Sequence, residues 1–141
     1  MREMDECIFC RIASKEISSE KILETDLAIS FMDIVPKAPG HSLVIPKRHA
    51  EKLSELDDES VAEVFIMAKE VVKAMEKALK PDAFTIGIND GKVAGQEVPH
   101  LHINIIPRFR GDGGKSIHSV VHNPIKEEIS KTAERIRAAT S

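Results

Sequence analysis

The residues best suited to chemistry lie in one short stretch, 95–108, which reads Gly-Gln-Glu-Val-Pro-His-Leu-His-Ile-Asn-Ile-Ile-Pro-Arg. Two imidazoles and an amide, at His100, His102 and Asn104, alternate there with aliphatic side chains. Successive side chains of a β-strand point to opposite faces, so a strand would place the three polar groups on one face. That face would be solvated, bound to a metal or part of a working site. Alternation alone indicates only an amphipathic strand, which Pro107 should end.

A second candidate site is the pair Cys7 and Cys10, the only cysteines in the sequence. A Cys-x-x-Cys pair is half of a zinc site, a redox pair or two packed thiols. A thioredoxin-like redox pair follows a strand and opens a helix, whereas no strand is predicted before this pair. The redox interpretation is therefore the least favoured. A structural zinc ion would need two further ligands, because it binds four in a tetrahedron.

Five segments have the composition of strands and must position these residues. Turn residues or prolines bound them, as at the tight turn 25–26 and at Pro46. The predicted strands are 21–24, 27–32, 41–46, 84–89 and 99–107. Loops rich in proline or glycine are predicted at 33–40 and 90–98, and one or two helical turns at 6–14.

A long amphipathic helix is predicted from Asp57 or Asp58, either of which is a good N-cap, to the break at Pro81. Apolar residues recur within it at steps of three and four, which is typical of a helix that packs on a core. This stripe consists of Val61, Val64, Phe65, Ala68, Val71, Val72, Met75 and Leu79.

A second helix is predicted near the C-terminus, with Asn123 as its N-cap and Pro124 at its first position. Its narrow apolar stripe consists of Ile125, Ile129 and Ile136. Strands, a long helix, two further strands and a helix follow one another without repeats or a linker. This order predicts one α+β domain over 1–141 with a largely antiparallel sheet.

Composition excludes several classes of partner. Hydrophobic residues make up 42% of the 141, and charged residues nearly balance at a formal net charge of −3. Without a basic excess, a nucleic-acid polymer is not an expected partner. No apolar run approaches the 18 or so residues of a membrane span, and the N-terminus lacks the apolar core of a signal peptide. We therefore expect a cytoplasmic protein with no membrane association.

The motifs together resemble the histidine triad (HIT) family, whose signature is His-φ-His-φ-His-φ-φ with φ apolar. His100 and His102 match its first two histidines, and Asn104 stands where the family has the third. The opening Cys-Ile-Phe-Cys-Arg-Ile resembles the zinc-containing bacterial and archaeal branch. The resemblance covers 7–108, and the extension 109–141 resembles nothing we can use. Other segments similar to the family's are 31–34, 39–49, 89–91 and 95–96.

The resemblance implies a HIT-like fold: a five-stranded, mainly antiparallel sheet with a long central helix and a C-terminal helix. It also implies a homodimer that pairs through the long helix and the sheet. The zinc-containing branch implies that His49 and His100 complete the ligand set of Cys7 and Cys10.

The resemblance further implies a hydrolase or transferase acting on nucleoside monophosphate derivatives, such as phosphoramidates and dinucleoside polyphosphates. His102 would attack the α-phosphorus and form a nucleotidyl-imidazole. Neutral imidazole suits this step, since its ordinary pKa is about 6.5 and a covalent intermediate divides a hard step in two. The other ring nitrogen must then be held protonated by an acceptor such as a backbone carbonyl. The alternatives are a nucleotide-binding module with little turnover, because of Asn104, and a zinc-stabilised structural domain.

Matched positions imply the remaining roles for a purine nucleotide ligand. Asp33 would accept the ribose hydroxyls, and His41 would lie behind the triad and orient an imidazole. The base pocket would consist of Ile8, Phe9, Ile12, Phe31 and Ile34, although ordinary core is the other interpretation of some of these residues. Val98 would be a further nucleotide-binding residue. The phosphate contacts would be Asn89, Gly95, Gln96, His102 and Asn104.

Overall fold

The computed structural model describes residues 6–140, which form an antiparallel sheet with helices on both faces. The spatial order of its five strands is β1-β2-β3-β5-β4, and every neighbouring pair is antiparallel. The strands are β1 (Lys21–Glu24), β2 (Ala28–Met32), β3 (Ser42–Pro46), β4 (Ala83–Gly87) and β5 (Ile103–Arg108). The helices are α1 (Ile8–Ala13), α2 (Asp58–Ala78) and α3 (Ile129–Ala139). The predicted five-stranded α+β fold is confirmed.

The inner strands β2 and β3 are buried on both faces, because α2 covers one face and the α1 segment covers the other. Alternating residues of β3 divide between the two cores. Val44 packs with Ile103 and Ile105 against α2, whereas Leu43 packs with Phe9 of α1. Asn104 points away from α2, since its neighbours on β5 point toward it. The α1 face of the sheet therefore carries the polar residues of β5.

The long helix begins where its cap signal predicts. The side chain of Asp57 accepts a hydrogen bond from the backbone N–H of Ser60, and the helix ends at Ala78. The predicted stripe is wrong at two positions, since Phe65 is 46% and Leu79 is 43% exposed. Phe65 lies one step of about 100° from the buried Val64, so it faces away from the sheet. The fully buried members of the predicted stripe are Val64, Ala68, Val71 and Met75, and Met67, which the stripe did not include, is buried with them.

The last strand begins later than predicted. The prediction was 99–107, whereas β5 is Ile103–Arg108 and pairs with β3 only from Ile103 to Ile105. The segment before it leaves the sheet because Leu101 donates its N–H to the carbonyl of Ala50. His100 therefore does not share a strand face with Asn104. Pro107 lies within β5, beyond the pairing with β3, where no ladder donor is required.

The C-terminal helix also begins later than its cap signal suggests. Its N-cap is Glu128, so the predicted cap Asn123, Pro124 and Ile125 all precede it. The preceding Glu127 accepts hydrogen bonds from Thr132 and Arg135, which ties the start of the helix to its own first turns. The three isoleucines of the predicted stripe are exposed. Among residues 6–140, no helix has both the length and the apolar character needed to cross a membrane.

Candidate active site and metal centre

Two cysteines and two histidines converge beside the start of α1. The ligand atoms Sγ of Cys7 and Cys10 and Nδ1 of His49 and His100 all lie within 4.8 Å of one another. Nδ1 of His100 is 3.3 Å from Sγ of Cys7 and 3.4 Å from Sγ of Cys10. Nδ1 of His49 is 3.3 Å from both Sγ of Cys10 and Nδ1 of His100. The structure thus brings together all four residues predicted as metal ligands.

These separations fit a tetrahedral zinc ion. Zinc bonds of about 2.3 Å to sulfur and about 2.0 Å to nitrogen give a tetrahedron with edges of about 3.3–3.8 Å. Two thiolates and two imidazoles form a common structural zinc set, and all four positions are filled by protein. The four residues can therefore hold a metal whose coordination shell is closed.

The orientation of His100 is set by a carbonyl at the end of β3. Its Nε2–H donates to the carbonyl of Pro46 at 2.8 Å, which leaves the lone pair on Nδ1, facing the cysteines. Burial lowers the pKa of His100 to about 4, so the ring is neutral near pH 7 as a metal ligand must be. Burial also raises the pKa of the Cys10 thiol to about 12, with Cys7 adding to the shift, and a bound cation would reverse this effect.

The local sequence explains the position of the two cysteines. Cys7 is the N-cap of α1, and its Sγ accepts a hydrogen bond from the backbone N–H of Cys10 at 3.4 Å. The apolar residues Phe9 and Ile12 of the same short helix are buried against the sheet. Burial of these two side chains holds α1 in place, and its first turn presents both sulfurs to His100.

His102 lies two residues beyond His100 and has the opposite ring orientation. Its Nδ1–H donates to the backbone carbonyl of His100 at 2.8 Å, so the lone pair of the neutral ring is on Nε2. The Phe9 ring contacts it edge-on, with ring centroids 5.1 Å apart. A backbone carbonyl thus acts as the acceptor that a nucleophilic imidazole requires.

Asn104 is held by His41, a buried residue directly before β3. Nδ1 of His41 accepts the backbone N–H of Lys37 at 3.1 Å, and its Nε2 lies 3.0 Å from Oδ1 of Asn104. The ring therefore donates to the amide oxygen. Asp33 lies near the same ring nitrogen, with Oδ2 3.6 Å from Nε2 of His41. The structure thus places three of the predicted site residues side by side.

The residues predicted to form the base pocket do not all share one environment. Phe9, Ile12 and Phe31 are buried in one cluster, and Val98 packs against it. Ile8 is 44% and Ile34 is 89% exposed, so these two lie outside that cluster. Contact of these residues with a base stays a prediction.

The side chain of Gln96, one of the predicted phosphate contacts, makes hydrogen bonds that hold the loop together. Gly95 has a φ of +103°, and a Cβ atom there would contact the side-chain amide of Asn89. The Gln96 side chain accepts the N–H of Gly91 at 2.9 Å and donates to the carbonyl of Glu51 at 2.8 Å. Both polar atoms of the Gln96 amide therefore shape the loop. The phosphate contacts of Asn89, Gly95 and Gln96 stay predictions.

The family model of the HIT domain matches residues 14–111 of the sequence. The chain belongs to the HIT family. Adenosine 5′-monophosphoramidase of Schizosaccharomyces pombe is 39% identical over 130 residues, which cover 92% of this chain and 95% of that protein. Two of the similar solved structures are HIT proteins of Bacillus subtilis and Mycobacterium smegmatis.

These structures support the fold and the metal centre. The Bacillus subtilis protein has a TM-score of 0.81 at 29% identity, with 96% of this chain and 97% of that chain covered. The Mycobacterium smegmatis protein is described as zinc-bound and has a TM-score of 0.73 at 31% identity, with 96% and 94% covered. The resemblance drawn from the sequence is thereby confirmed at the level of family and fold.

Sequence reasoning missed the main-chain groups that orient the side chains of this HIT protein. They are the carbonyl of Pro46 for His100, the carbonyl of His100 for His102, and the N–H of Lys37 for His41. The general need for a carbonyl behind the nucleophile was predicted, but not its residue. Every residue has the same main-chain groups, so no sequence signal could have identified these three.

Proposed function

We propose that this HIT protein hydrolyses or transfers nucleotidyl groups by attack of His102 on the α-phosphorus of nucleoside monophosphate derivatives. The observation that carries the proposal is the hydrogen bond from Nδ1 of His102 to the carbonyl of His100 at 2.8 Å. It fixes the tautomer in which Nε2 is the nucleophilic nitrogen. The name of the Schizosaccharomyces pombe relative, a monophosphoramidase, supports the same reaction class.

The reaction has two displacement steps. Nε2 of His102 forms a bond to the α-phosphorus while the bond from phosphorus to the leaving amine or phosphate breaks. The leaving group takes up a proton from solvent as it departs. Water then attacks the same phosphorus and gives up a proton to solvent, the phosphorus–nitrogen bond breaks and the imidazole is restored. Holding the two reactants in place accounts for much of the rate in such reactions.

Other residues of the site bind and orient the nucleotide. Asp33 accepts hydrogen bonds from the ribose hydroxyls, and Phe9 and Phe31 contribute to the surface beside the base. The Asn104 amide donates to a phosphate oxygen. Since an amide does not titrate near neutral pH, it cannot also supply the proton that a poor leaving group needs. We therefore expect substrates with weakly basic leaving groups, which depart without a proton, to react fastest.

The metal in this proposal is zinc, held by Cys7, Cys10, His49 and His100. With a closed coordination shell, zinc supplies structural stability and takes no part in the chemistry. It links the start of α1 to the segment before β5. The carbonyl of His100 accepts the hydrogen bond from Nδ1 of His102. A metal bound by His100 would therefore also fix the position of this acceptor.

The second candidate function is a nucleotide-binding module with little turnover. It is favoured by one observation, the amide of Asn104 at the position of the third triad histidine. It predicts tight binding of AMP with no product formed from any of the substrate classes named above.

We also propose that the protein is a cytoplasmic homodimer, in which residues 1–141 form a single domain with an extension at 109–141. Support for the dimer comes from the exposed apolar side chains of α2, Phe65 and Ile66, and from β4, whose outer edge pairs with no other strand of the described sheet. The partners we expect are a purine nucleotide and a second copy of the chain, with no nucleic-acid polymer and no membrane.

The test of the proposed function is a turnover assay with adenosine phosphoramidate and with a dinucleoside polyphosphate, following release of AMP. Wild-type protein is compared with His118→Ala, a variant of an exposed histidine outside the site. Release of AMP by both proteins supports the hydrolase. Saturable AMP binding without release from either substrate supports the binding module instead.

A further inference from the structure

Segment 49–53 connects the metal centre with the stretch that contains the predicted phosphate loop. It begins at His49, whose Nδ1 lies 3.3 Å from Sγ of Cys10 in the cluster of four ligand residues. Three hydrogen bonds then join the segment to residues 90–101. They run from the Leu101 N–H to the carbonyl of Ala50 at 2.7 Å, from Nε2 of Gln96 to the carbonyl of Glu51 at 2.8 Å, and from the Leu53 N–H to Oδ1 of Asp90 at 3.1 Å. One short segment therefore carries a metal ligand and three contacts with the loop region.

Gln96 is the side chain that holds the loop to this segment. The residue is buried, and its Oε1 accepts the N–H of Gly91 at 2.9 Å. Its main-chain N–H donates to the carbonyl of Gly91 at 3.2 Å, so the two residues close the loop between them. The other end of the amide, Nε2, donates to the carbonyl of Glu51. An amide can accept at one end and donate at the other, which neither a carboxylate nor an aliphatic side chain can do.

The two proposed ligands order main chain on either side of this bridge. A metal held by His49 and His100 fixes the chain two residues before Glu51 and four residues after Gln96. A nucleotide phosphate bound at the loop fixes residues 91–96. Fixing main chain costs conformational entropy, and a second ligand bears less of that cost when the first has already ordered the connected segment. The two ligands then bind with positive cooperativity, and no change of structure is required.

We propose that Gln96 couples metal binding at the cluster of Cys7, Cys10, His49 and His100 to nucleotide binding at loop 91–96. The inference rests on the proposed nucleotide site. The coupling is reciprocal, so the nucleotide raises the affinity for zinc by the same factor by which zinc raises the affinity for the nucleotide. Because the phosphate orders the loop, a nucleoside without a phosphate transmits little of the effect. Gln96 is thus a positioning residue for both sites.

The first test measures the zinc affinity of wild type without following turnover. Zinc-loaded protein is titrated with a chromogenic chelator of known affinity, alone, with saturating AMP and with saturating adenosine. AMP should raise the zinc affinity at least about fivefold, the lower end of common coupling between two sites. Adenosine should change it by less than about twofold.

Variants of Gln96 test whether the bridge carries the effect. Each protein is given AMP at about ten times its own measured Kd. Gln96→Leu lacks both ends of the amide and should reduce the effect of AMP on zinc affinity to less than about twofold. Gln96→Glu can still accept from Gly91 but cannot donate to Glu51, so it should lose the effect as well. Asn123→Leu, which removes an amide from an exposed position in the extension, should retain the wild-type factor.

Hydrogen exchange provides a measurement on wild type alone, with zinc present throughout. The Leu53 N–H, which donates to Asp90, should exchange at least about fivefold more slowly with saturating AMP than with saturating adenosine. The N–H of Val120, which donates within the extension to the carbonyl of Ile117, serves as the control and should exchange at the same rate with both ligands.

Three results would overturn the coupling. They are a zinc affinity of wild type that AMP does not change, an equal effect of adenosine and AMP, or the full effect of AMP in both Gln96 variants. Each leaves the proposed function intact, provided that wild type binds AMP and releases it from adenosine phosphoramidate. If Gln96→Leu binds AMP no more tightly than adenosine, it has lost phosphate binding, and the wild-type measurements decide. A wild type that does not bind AMP would overturn the proposed function and the coupling together.

Discussion

Two histidines separated by one residue have opposite ring orientations in this HIT protein. His100 donates from Nε2 to the carbonyl of Pro46 and turns Nδ1 toward two cysteines. His102 donates from Nδ1 to the carbonyl of His100, which leaves the lone pair on Nε2. The same side chain thus becomes a metal ligand in one position and a candidate nucleophile in the other. A main-chain acceptor decides which nitrogen keeps its lone pair, and so decides which chemistry the ring can do.

The largest expected effect separates the two imidazoles directly. His102→Ala should reduce turnover by about 10³-fold or more, because it removes the covalent route, while AMP binding should stay within about tenfold of wild type. Steady-state rates and calorimetric titration with AMP measure the two quantities. Zinc content and melting temperature should not change. Wild-type rates in this variant would show that the proposed attack by His102 is wrong.

The next effect concerns the amide of Asn104, two residues from the proposed nucleophile His102. Asn104→His restores a titrating group, and general acid catalysis is typically worth about 10²–10⁴-fold. The gain should appear on substrates with strongly basic leaving groups and be small on those with good ones. The measurement is kcat for wild type and variant on two substrates that differ in leaving-group pKa. Equal rates for both proteins on both substrates would show that residue 104 has no part in proton transfer.

The proposed metal centre is tested by measuring zinc content and thermal stability. His49→Ala should lose stoichiometric zinc and lower the melting temperature by at least about 5 °C, since metal binding contributes directly to folding free energy. His122→Ala, which changes an exposed histidine in the extension, serves as the matched control. Elemental analysis and thermal unfolding give both readouts. A wild type that contains no zinc, together with a His49→Ala variant that melts at the wild-type temperature, would contradict a structural zinc centre.

The smallest effect concerns the ring that contacts both histidines. The Phe9 ring centroid is 5.1 Å from that of His102 and 5.9 Å from that of His100, and both contacts are edge-on. Aromatic pairs of this kind are worth about 0.5–1.5 kcal/mol beyond burial. Phe9→Leu should therefore lower kcat by about 2- to 10-fold, while zinc stays bound. If Phe9→Leu loses both zinc and activity, this variant does not distinguish the metal centre at His100 from the site around His102.

Of the two helix caps predicted from the sequence, one was correct and the other was wrong. The cap at Asp57 was located correctly because the carboxylate and the N–H of Ser60 that it binds are three residues apart. The cap predicted at Asn123 was wrong because Glu127 makes its own contacts with the first turns of α3. In both cases a residue within one or two helical turns decided the boundary.

The candidate site was predicted in its residues but not in its geometry. Cysteine spacing and the family resemblance identified all four members of the metal cluster. The alternation of 99–107 wrongly suggested one continuous strand, because the pattern does not distinguish a strand from the segment that carries His100 into the cluster. The ring orientations depend on the carbonyl of Pro46, 54 residues from His100, and on the N–H of Lys37. Long-range main-chain contacts of this kind leave no pattern in a sequence.

The central claim is that Nε2 of His102 becomes covalently bonded to the nucleotide. The most direct measurement is rapid acid-free quenching of wild type mixed with adenosine phosphoramidate, followed by intact mass and peptide mapping. The account predicts a transient adduct of one adenylyl group per chain, located on His102 and absent from His102→Ala. Formation of AMP in a single turnover with no adduct, or an adduct on another residue, would contradict it.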